Sequence, residues 1–399
     1  MPKAVIFLGD GMADEPLPEL GGKTPLEYAD TPAMDGIAAA GMSGSFLTLP
    51  PGLPTSSDVA NMSVLGYYPE KNYPGRGPIE AVSRGIRLGP DDVAWRCNLV
   101  TVDEQGILRD YSARHIDNTV SAQLMNLLQE KLGSDKVSFY PGVSYRNLMV
   151  LHGREFSDRV GYFKPDSSQD MPVTELPWTA EVPGAAHTVE VLNQLFRDAR
   201  EVLAHTDIAS EATDIWPWSP GRTPKLLSFE ERYEGRRGAI ISAVDVIRGI
   251  GRASGMTVAE VPGATGFLDT NYAGKVAAAL EMLKNHDLVY IHVEAVDECS
   301  HMGKLDLKLQ AIQAFDQQIV APVMTALKGE NVNFAVLPDH PVPIRLRKHT
   351  TTPVPVAVCG PSFPADGVTF FGENSAKNGR LGARSGDELV RLLLGLQKL

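Results

Sequence analysis

Acidic and histidine side chains stand directly after short apolar runs in this chain. Asp10 follows Ala4–Leu8 through Gly9, Asp297 and His301 follow Leu288–Val293, and Asp339-His340 follow Phe334–Leu337. Runs of this kind, rich in β-branched residues and without polar alternation, predict buried parallel strands. The crevice beyond the carboxyl ends of parallel strands is where such sheets bind ligands. The D-x-x-x-H spacing puts Asp297 and His301 on one face of a helical turn, within reach of a shared ion. His349 precedes a fourth run, Val354–Cys359, and adds another imidazole. Three Asp and three His form an oxygen/nitrogen set large enough for two divalent ions. Its ligand types point to Mn²⁺, Zn²⁺ or Mg²⁺ rather than to copper(I) or iron–sulfur chemistry.

A second feature is Pro54-Thr55-Ser56-Ser57-Asp58-Val59-Ala60-Asn61, followed by an apolar stretch that closes at Gly66. Small polar residues ahead of a short helix put Ser56 or Ser57 at its N-terminus, where backbone N–H groups and the helix dipole favour an alkoxide or a bound phosphate. Alone, such a serine is an ordinary N-cap. In a chain that also carries a two-metal site, its hydroxyl becomes a competent nucleophile near neutral pH.

Positioning these groups requires a layered framework. Thr31 with Pro32 at a first helical position and Gly41 as a stop mark one helix. Others are expected at about Val120–Leu132, Val189–Ala204, Ala273–Lys284, Leu305–Leu327 with a kink at Pro322, and Glu388–Gln397. Ser242 with Asp245, and Ser385 with Glu388, read as capping boxes. Strands alternating with helices predict an α/β fold with a mostly parallel sheet flanked by helices. The middle of the chain differs, with denser turn residues, the cluster Trp216-Pro217-Trp218-Ser219-Pro220 and the charged stretch Glu230–Arg237. Residues 70–236 are therefore read as an inserted α+β cap domain. Residues 1–69 and 237–399 form the metal-binding core.

Composition narrows the partners. Acidic residues outnumber basic ones 49 to 37, for a formal net charge of −12, and no basic stripe relieves that balance, which argues against nucleic acid. Three cysteines, Cys97, Cys299 and Cys359, are too few for a disulfide framework and suit a reducing cytoplasm. Ala4–Leu8 is too short for a signal segment, and no stretch approaches the ~20 apolar residues of a membrane span. The expectation is a cytoplasmic protein without a membrane partner, its oligomeric state open. Gly249–Gly255 has the wrong spacing and context for a dinucleotide loop, and neither a G-x-S-x-G elbow nor a Walker loop occurs.

In order along the chain, Gly9-Asp10-Gly11-Met12, Ser57-Asp58-Val59-Ala60, Asp297-x-x-x-His301, Asp339-His340 and His349-Thr350-x-x-Pro353-Val354-Pro355 resemble the alkaline phosphatase superfamily. More narrowly, the chain resembles the archaeal-type 2,3-bisphosphoglycerate-independent phosphoglycerate mutases. Gly75–Ala81, Arg96–Val100, Asp110–Ala113, Ala264-Thr265-Gly266 and Asp269–Tyr272 extend the likeness nearly end to end. The resemblance implies an alkaline-phosphatase-like core and two ions. Asp10, Ser57, Asp339 and His340 would hold one, and Asp297, His301 and His349 the other, with Mn²⁺ the leading candidate and Zn²⁺, Mg²⁺ or Co²⁺ as alternatives. Ser57, immediately before the acidic residue, matches the nucleophile. It would take the phosphoryl group from 3-phosphoglycerate and return it to the other hydroxyl of the glycerate, without 2,3-bisphosphoglycerate, while the cap excludes water.

The cap must hold a phosphate and a carboxylate, a task for arginine forks. The candidates are Arg76, Arg146 and Arg222, with His115 and Asp110 nearby, and Lys275 for the transferring phosphate. Arg114 stands where the family pattern has glycine, and Met302-Gly303-Lys304 follows His301 where an acidic residue is expected. Trp216–Gly221 and Ile240–Asp245 are closer to a bacterial subgroup proposed to act as homoserine kinases. A homoserine kinase-type phosphotransferase and a metal-dependent phosphomonoesterase are therefore the alternative readings.

Overall fold

The four apolar runs are strands, at Lys3–Gly9, Leu288–Val293, Val332–Leu337 and Val354–Cys359, in a computed structural model that describes all 399 residues, Met1–Leu399. They lie in one eight-stranded sheet in the order Thr257–Ala259, Gly238–Ile241, Leu288–Val293, Lys3–Gly9, Val332–Leu337, Val354–Cys359, Met42–Leu47, Gly382–Ser385. Seven strands run one way, so the sheet is mostly parallel. Val354–Cys359 is antiparallel to both neighbours, which corrects its reading as a parallel strand. The reason is the connection before it. Residues 338–353 contain no crossover helix, so the chain stays at the carboxyl end of Val332–Leu337 and re-enters the sheet from there. That reversal keeps His349 at the same end of the sheet as Asp339 and His340.

Alternation along the central strands separates two faces. Val5, Phe7, Val289, Ile291, Phe334 and Val336 join one large core cluster with the helix Tyr272–Asn285 and the long helix that starts at Leu305. Ile6, Leu8, Tyr290 and His292 face the other way and are fully buried. On that side the helix Asp245–Ala253 approaches so closely that a Cβ on Gly251 would lie 2.6 Å from Ile240 Cγ2.

Several element ends differ from the sequence reading. The helix from Leu305 passes at Asp316–Val320 through a π-helical turn before Ala321–Ala326, and this turn absorbs the N–H missing at Pro322. Ser242 does not form a capping box: its Oγ accepts the Val244 N–H and meets His292 Nδ1. Ser385 forms half of one, its N–H bonding the Glu388 carboxylate, and the helix there ends at Leu393. Reciprocal boxes occur instead at Thr24/Glu27 and Ser228/Glu231.

The chain divides into two compact units, Met1–Tyr73 with Leu226–Leu399, and Pro74–Lys225. The sequence boundary at 236 moves back because 226–236 is bound into the first unit. Tyr233 is fully buried and donates its hydroxyl to Leu65 O at 2.8 Å, and Arg232 lies over the Tyr67 and Tyr68 rings. The second unit is built on an antiparallel sheet of Leu108–Asp110, Val93–Val102, Arg146–Leu151 and Val137–Val143, with Asp214–Gly221 also paired to Val93–Val102. The Trp216–Pro220 cluster, read from sequence as a mark of the inserted region, is thus part of a strand. Ile215 packs into one cluster of this unit, while Trp216 and Trp218 pack into another.

Candidate metal centre and nucleophile

Each ligand-type residue sits where its element ends at one edge of the sheet. Asp10 follows Lys3–Gly9, Asp339-His340 follow Val332–Leu337, and Asp297 and His301 lie on the helix Ala295–His301 that follows Leu288–Val293. Ser57 is the first residue of the helix Ser57–Val64, with Ser56 as its N-cap. Ser56 is buried with its Oγ unpartnered, whereas Ser57 is half-buried with its Oγ beside His340. Gly11 allows the Asp10 loop to touch the Asp297 helix. Its φ is +64°, and a Cβ there would lie 2.7 Å from both Asp297 Cα and Oδ1.

His340 Nε2 lies 3.1 Å from Ser57 Oγ, 3.4 Å from Asp10 Oδ1 and 3.3 Å from Asp339 Oδ2. Donor atoms held ~2.1 Å from one ion are themselves ~3.0–3.4 Å apart, so this spacing is that of a shared coordination sphere. A second convergence joins His301 Nε2 and His349 Nε2 at 2.9 Å, with the Asp297 oxygens 3.5 Å from each. His340 belongs to both groups, its ring stacked on His349 at 3.9 Å between centroids.

Further observations test whether divalent cations fit. The buried oxygens Asp10 Oδ1 and Asp297 Oδ1 accept no hydrogen bond, although each lies close to imidazole nitrogens. His301 Nδ1 donates to Arg347 O at 2.9 Å, which turns Nε2 toward the other donors; against its burial, Asp297 raises this imidazole to about 9, so a bound cation would displace the Nε2 proton. Burial, together with Asp339 and Asp297, pushes the Asp10 carboxyl well above its ordinary range, and burial pushes Asp339 up to about 7. Burial would also raise Asp297, but the histidines around it draw it well below the carboxylate range. The donor set of carboxylates, imidazoles and a hydroxyl fits hard to borderline divalent ions.

A shell that the sequence reading missed orients these side chains. His292 Nε2 donates to Asp10 Oδ2 at 2.9 Å, and its Nδ1 accepts from Ser242 Oγ at 3.1 Å. Burial holds the His292 pKa down at about 3, so the ring is neutral and this tautomer is the one the partners require. Asn61 Nδ2 bridges Ser57 O at 2.8 Å and Asp339 Oδ2 at 2.9 Å, and Tyr290 Oη donates to Asn61 Oδ1. His292 and Tyr290 interrupt an apolar strand two residues apart, and that is the signal that could have found them. Lys275 is buried, with Nζ 3.0 Å from His292 O, and burial draws its pKa down to about 8.

A family model described as 2,3-bisphosphoglycerate-independent phosphoglycerate mutase matches residues 38–209. The 2,3-bisphosphoglycerate-independent phosphoglycerate mutase of Methanosarcina barkeri is 44% identical over 403 residues, covering 98% of this chain and 99% of its own. The chain belongs to the 2,3-bisphosphoglycerate-independent phosphoglycerate mutase family. A probable mutase of the same name from Geobacter sulfurreducens is also 44% identical, over 98% and 99% of the two chains. Among solved structures, a Pyrococcus horikoshii protein is similar with TM-score 0.83 and 27% identity over 99% of this chain and 97% of its own. The cofactor-independent phosphoglycerate mutase from Thermoplasma acidophilum gives TM-score 0.65 and 27% identity over 99% of both chains.

Within this member of the mutase family, the second unit carries a separate cationic cluster. Arg76 Nε bonds Glu80 Oε1 at 2.8 Å, buried Arg96 pairs with the same carboxylate, and the Arg96 guanidinium lies over the Trp218 ring. Burial, against the pull of Glu80 and helped by Arg76 and Arg146, lowers the Arg96 pKa to about 10. Arg146 covers the Tyr145 ring, which His115 meets edge-on. One carboxylate thus stands among three guanidinium groups, an arrangement receptive to anions.

His115 ends a left-handed turn in which Ala113, Arg114 and His115 have φ of 47°, 56° and 52°. The turn is held by Asp110 Oδ1, which accepts from Ser112 N and Oγ, and by Ser112 Oγ, which accepts from His115 N. A glycine would be unstrained in this conformation, and here Arg114 adopts it. Arg222 does not join the cluster. Its guanidinium donates to Asp91 O and Phe156 O, both at 2.7 Å, and so braces loops of its own unit. Arg96, quoted in sequence only as part of a motif, takes that place. No helix is long and apolar enough to cross a membrane.

Proposed function

We propose that this protein interconverts 3-phosphoglycerate and 2-phosphoglycerate without 2,3-bisphosphoglycerate, with Ser57 as the phosphoryl carrier. The observation that carries the reading is Ser57 Oγ at a helix N-terminus, 3.1 Å from His340 Nε2 and in the same convergence as Asp10 and Asp339. Full-length relatives bearing the mutase name support it. We assign Asp10, Ser57, Asp339 and His340 to one divalent ion and Asp297, His301 and His349 to a second, with Mn²⁺ as the metal. Bound there, divalent ions would offset charge on the phosphoryl oxygens and favour the ionised Ser57 hydroxyl.

Ser57 Oγ forms a bond to phosphorus as the bond from phosphorus to the C3 oxygen breaks, and the C3 oxygen takes up a proton equivalent to the one Ser57 loses. The C2 hydroxyl of the retained glycerate then attacks the same phosphorus and loses its proton, and Ser57 is regenerated as the P–Oγ bond breaks and Oγ takes up an equivalent proton. The N–H groups at the start of the Ser57–Val64 helix favour the negative charge that builds there. His292, Asn61 and Tyr290 keep Asp10 and Asp339 oriented throughout. Arg76, Arg96, Arg146 and His115 are assigned to the substrate's anionic groups, and Lys275 to the transferring phosphate.

The test is purified protein, treated with EDTA and reloaded with Mn²⁺, Zn²⁺, Co²⁺ or Mg²⁺, then given 3-phosphoglycerate alone. The expected result is 2-phosphoglycerate formation that chelation abolishes and Mn²⁺ restores best. Inorganic phosphate as the only product would establish the phosphomonoesterase instead. In a parallel assay with ATP and homoserine, phosphorylation of homoserine, without mutase turnover in the first, would establish the kinase.

A further inference from the structure

Lys308 has no part in the chemistry above, yet it is a fully buried ammonium group close to the metal-ligand loops. It projects from the helix Leu305–Phe315, and Nζ reaches Asp14 Oδ2 at 2.7 Å, Val342 O at 2.9 Å and Ala13 O at 3.4 Å. Ala13 lies three residues beyond Asp10, and Val342 two residues beyond His340. The two segments also bond directly. Val342 N donates to Ala13 O at 3.1 Å, Ile344 N donates to Asp14 Oδ2 at 3.0 Å, and Met12 and Ala13 both bridge Pro341. Asp14 is fixed from behind, its N–H donating to Glu373 Oε1 at 2.9 Å.

We propose that Lys308 is a positioning residue for the metal centre, its ammonium locking the loop that carries Asp10 to the loop that carries Asp339 and His340. Asp10 and Asp339-His340 come from different strands, and the convergence at His340 Nε2 requires their loops to hold one register. Hydrogen bonds between two surface loops would allow slippage, because water can replace each of them. A buried cation that shares its three protons between Asp14 and one carbonyl from each loop cannot give up any contact without leaving a polar group unpaired in a dry site. Burial lowers the lysine's pKa and Asp14 opposes the shift, in keeping with a charge held by its partners. By linkage, whatever the clamp contributes to ligand alignment the ion returns as tighter closure of the clamp.

The inference rests on the metal reading of Asp10, Asp339 and His340, so the experiment begins with Mn²⁺ binding to the wild-type protein by calorimetry. No binding there would overturn the metal reading. With binding established, Lys308→Met and the double variant Lys308→Met/Asp14→Asn are compared with wild type. The double variant removes both buried charges, while the amide oxygen that replaces the carboxylate can still accept backbone N–H groups, so thermal stability recovers relative to the single variant. Mn²⁺ affinity per folded molecule is expected to stay at least tenfold weaker in both. Affinity within twofold of wild type in the folded double variant would overturn the proposal, because a merely structural pair would lower stability alone. Hydrogen exchange on the unmutated protein gives an independent check that survives failure of either variant to fold. Adding Mn²⁺ should slow exchange at the Val342 and Ile344 amides, and unchanged rates would overturn the proposal as well.

Discussion

Gly11→Ala probes the contact on which both ligand groups depend. Gly11 sits between Asp10 and the Asp297 helix at φ +64°, a conformation that costs an alanine ~1–2 kcal/mol. The new methyl would also lie 2.7 Å from Asp297 Cα and Oδ1 and 2.9 Å from Asp297 Cβ, where ordinary contact begins at 3.4 Å. The loop or the helix must therefore yield by more than half an ångström, which as overpacking costs a further ~1–3 kcal/mol. Together these predict a stability loss of ~2–5 kcal/mol, seen as a fall in Tm of several degrees. The displacement separates Asp10 from Asp297, so Mn²⁺ should bind more weakly, and kcat/KM for 3-phosphoglycerate should fall by ~10²-fold, the effect of a misplacement near 1 Å. Gly21→Ala is the matched control. Its φ is +68° and nothing lies within 4 Å of the added Cβ, so it bears the conformational cost alone and leaves metal affinity and turnover intact. Turnover is read by coupling 2-phosphoglycerate to its dehydration, and metal binding by calorimetry. A Gly11→Ala protein with Mn²⁺ affinity and kcat/KM within threefold of wild type would refute the argument that this close approach sets the site.

Two further perturbations follow. Ser57→Ala removes the phosphoryl acceptor and one of seven proposed metal ligands, so turnover should drop by ~10⁴-fold or more while Mn²⁺ binding falls only in part; retained activity would sink the phosphoserine route. Glu373, whose carboxylate accepts from Asp14 N and Thr24 Oγ1, is pushed by burial from the ordinary 4.5 up to about 7. The folded chain therefore holds that proton more tightly than the unfolded one. The resulting stability is complete below pH 4.5 and is lost as pH rises through about 7. Glu373→Gln removes this dependence, so in urea titrations the variant should gain on wild type between pH 5 and pH 8. A constant difference across that window would contradict it.

The residues of the candidate metal centre converge in the fold, and their convergence was legible because their types are chemical and their places follow from strand ends. Asp10, Asp297 and Asp339 each stand within a few residues of an apolar run, and a parallel sheet delivers such positions to one edge. Strand direction was not legible at Val354–Cys359, because an apolar hexapeptide reads the same whichever way it runs. The loop before it decides, and only the fold shows that the loop stays at one end of the sheet. The orienting residues were hidden for another reason. His292 and Tyr290 belong to a strand whose neighbours are apolar, and their meaning lies in what faces them, Asp10 and Asn61. Arg222 and Arg96 show the same limit in reverse. Both are arginines in the inserted unit, but one spends its donors on loop carbonyls while the other is buried over Trp218 beside Glu80. Donor satisfaction is a tertiary property that no local pattern encodes.

Buried carboxylates elsewhere in the chain show what the candidate metal centre lacks. Asp14 has Lys308, Glu80 has Arg96 and Arg76, and Asp214 has the Arg200 guanidinium. Asp316 accepts the N–H groups of Ala33 and Met34 at the start of a helix. The ion-pair partners of Asp10, Asp297 and Asp339 are instead histidines alone: His292, His340, His301 and His349. Of these, His292 and His340 are held neutral by burial. His301 alone is strongly basic, raised against its burial by Asp297 to about 9, and three carboxylates packed beside one such imidazole cannot all remain ionised in a site this dry. A divalent cation resolves that deficit where a lysine would not, because it neutralises several oxygens at once and leaves a net positive centre for an incoming phosphate. In a chain of net charge −12, attraction of an anionic substrate must be built locally, and these three aspartates mark where the positive charge has to be supplied from outside.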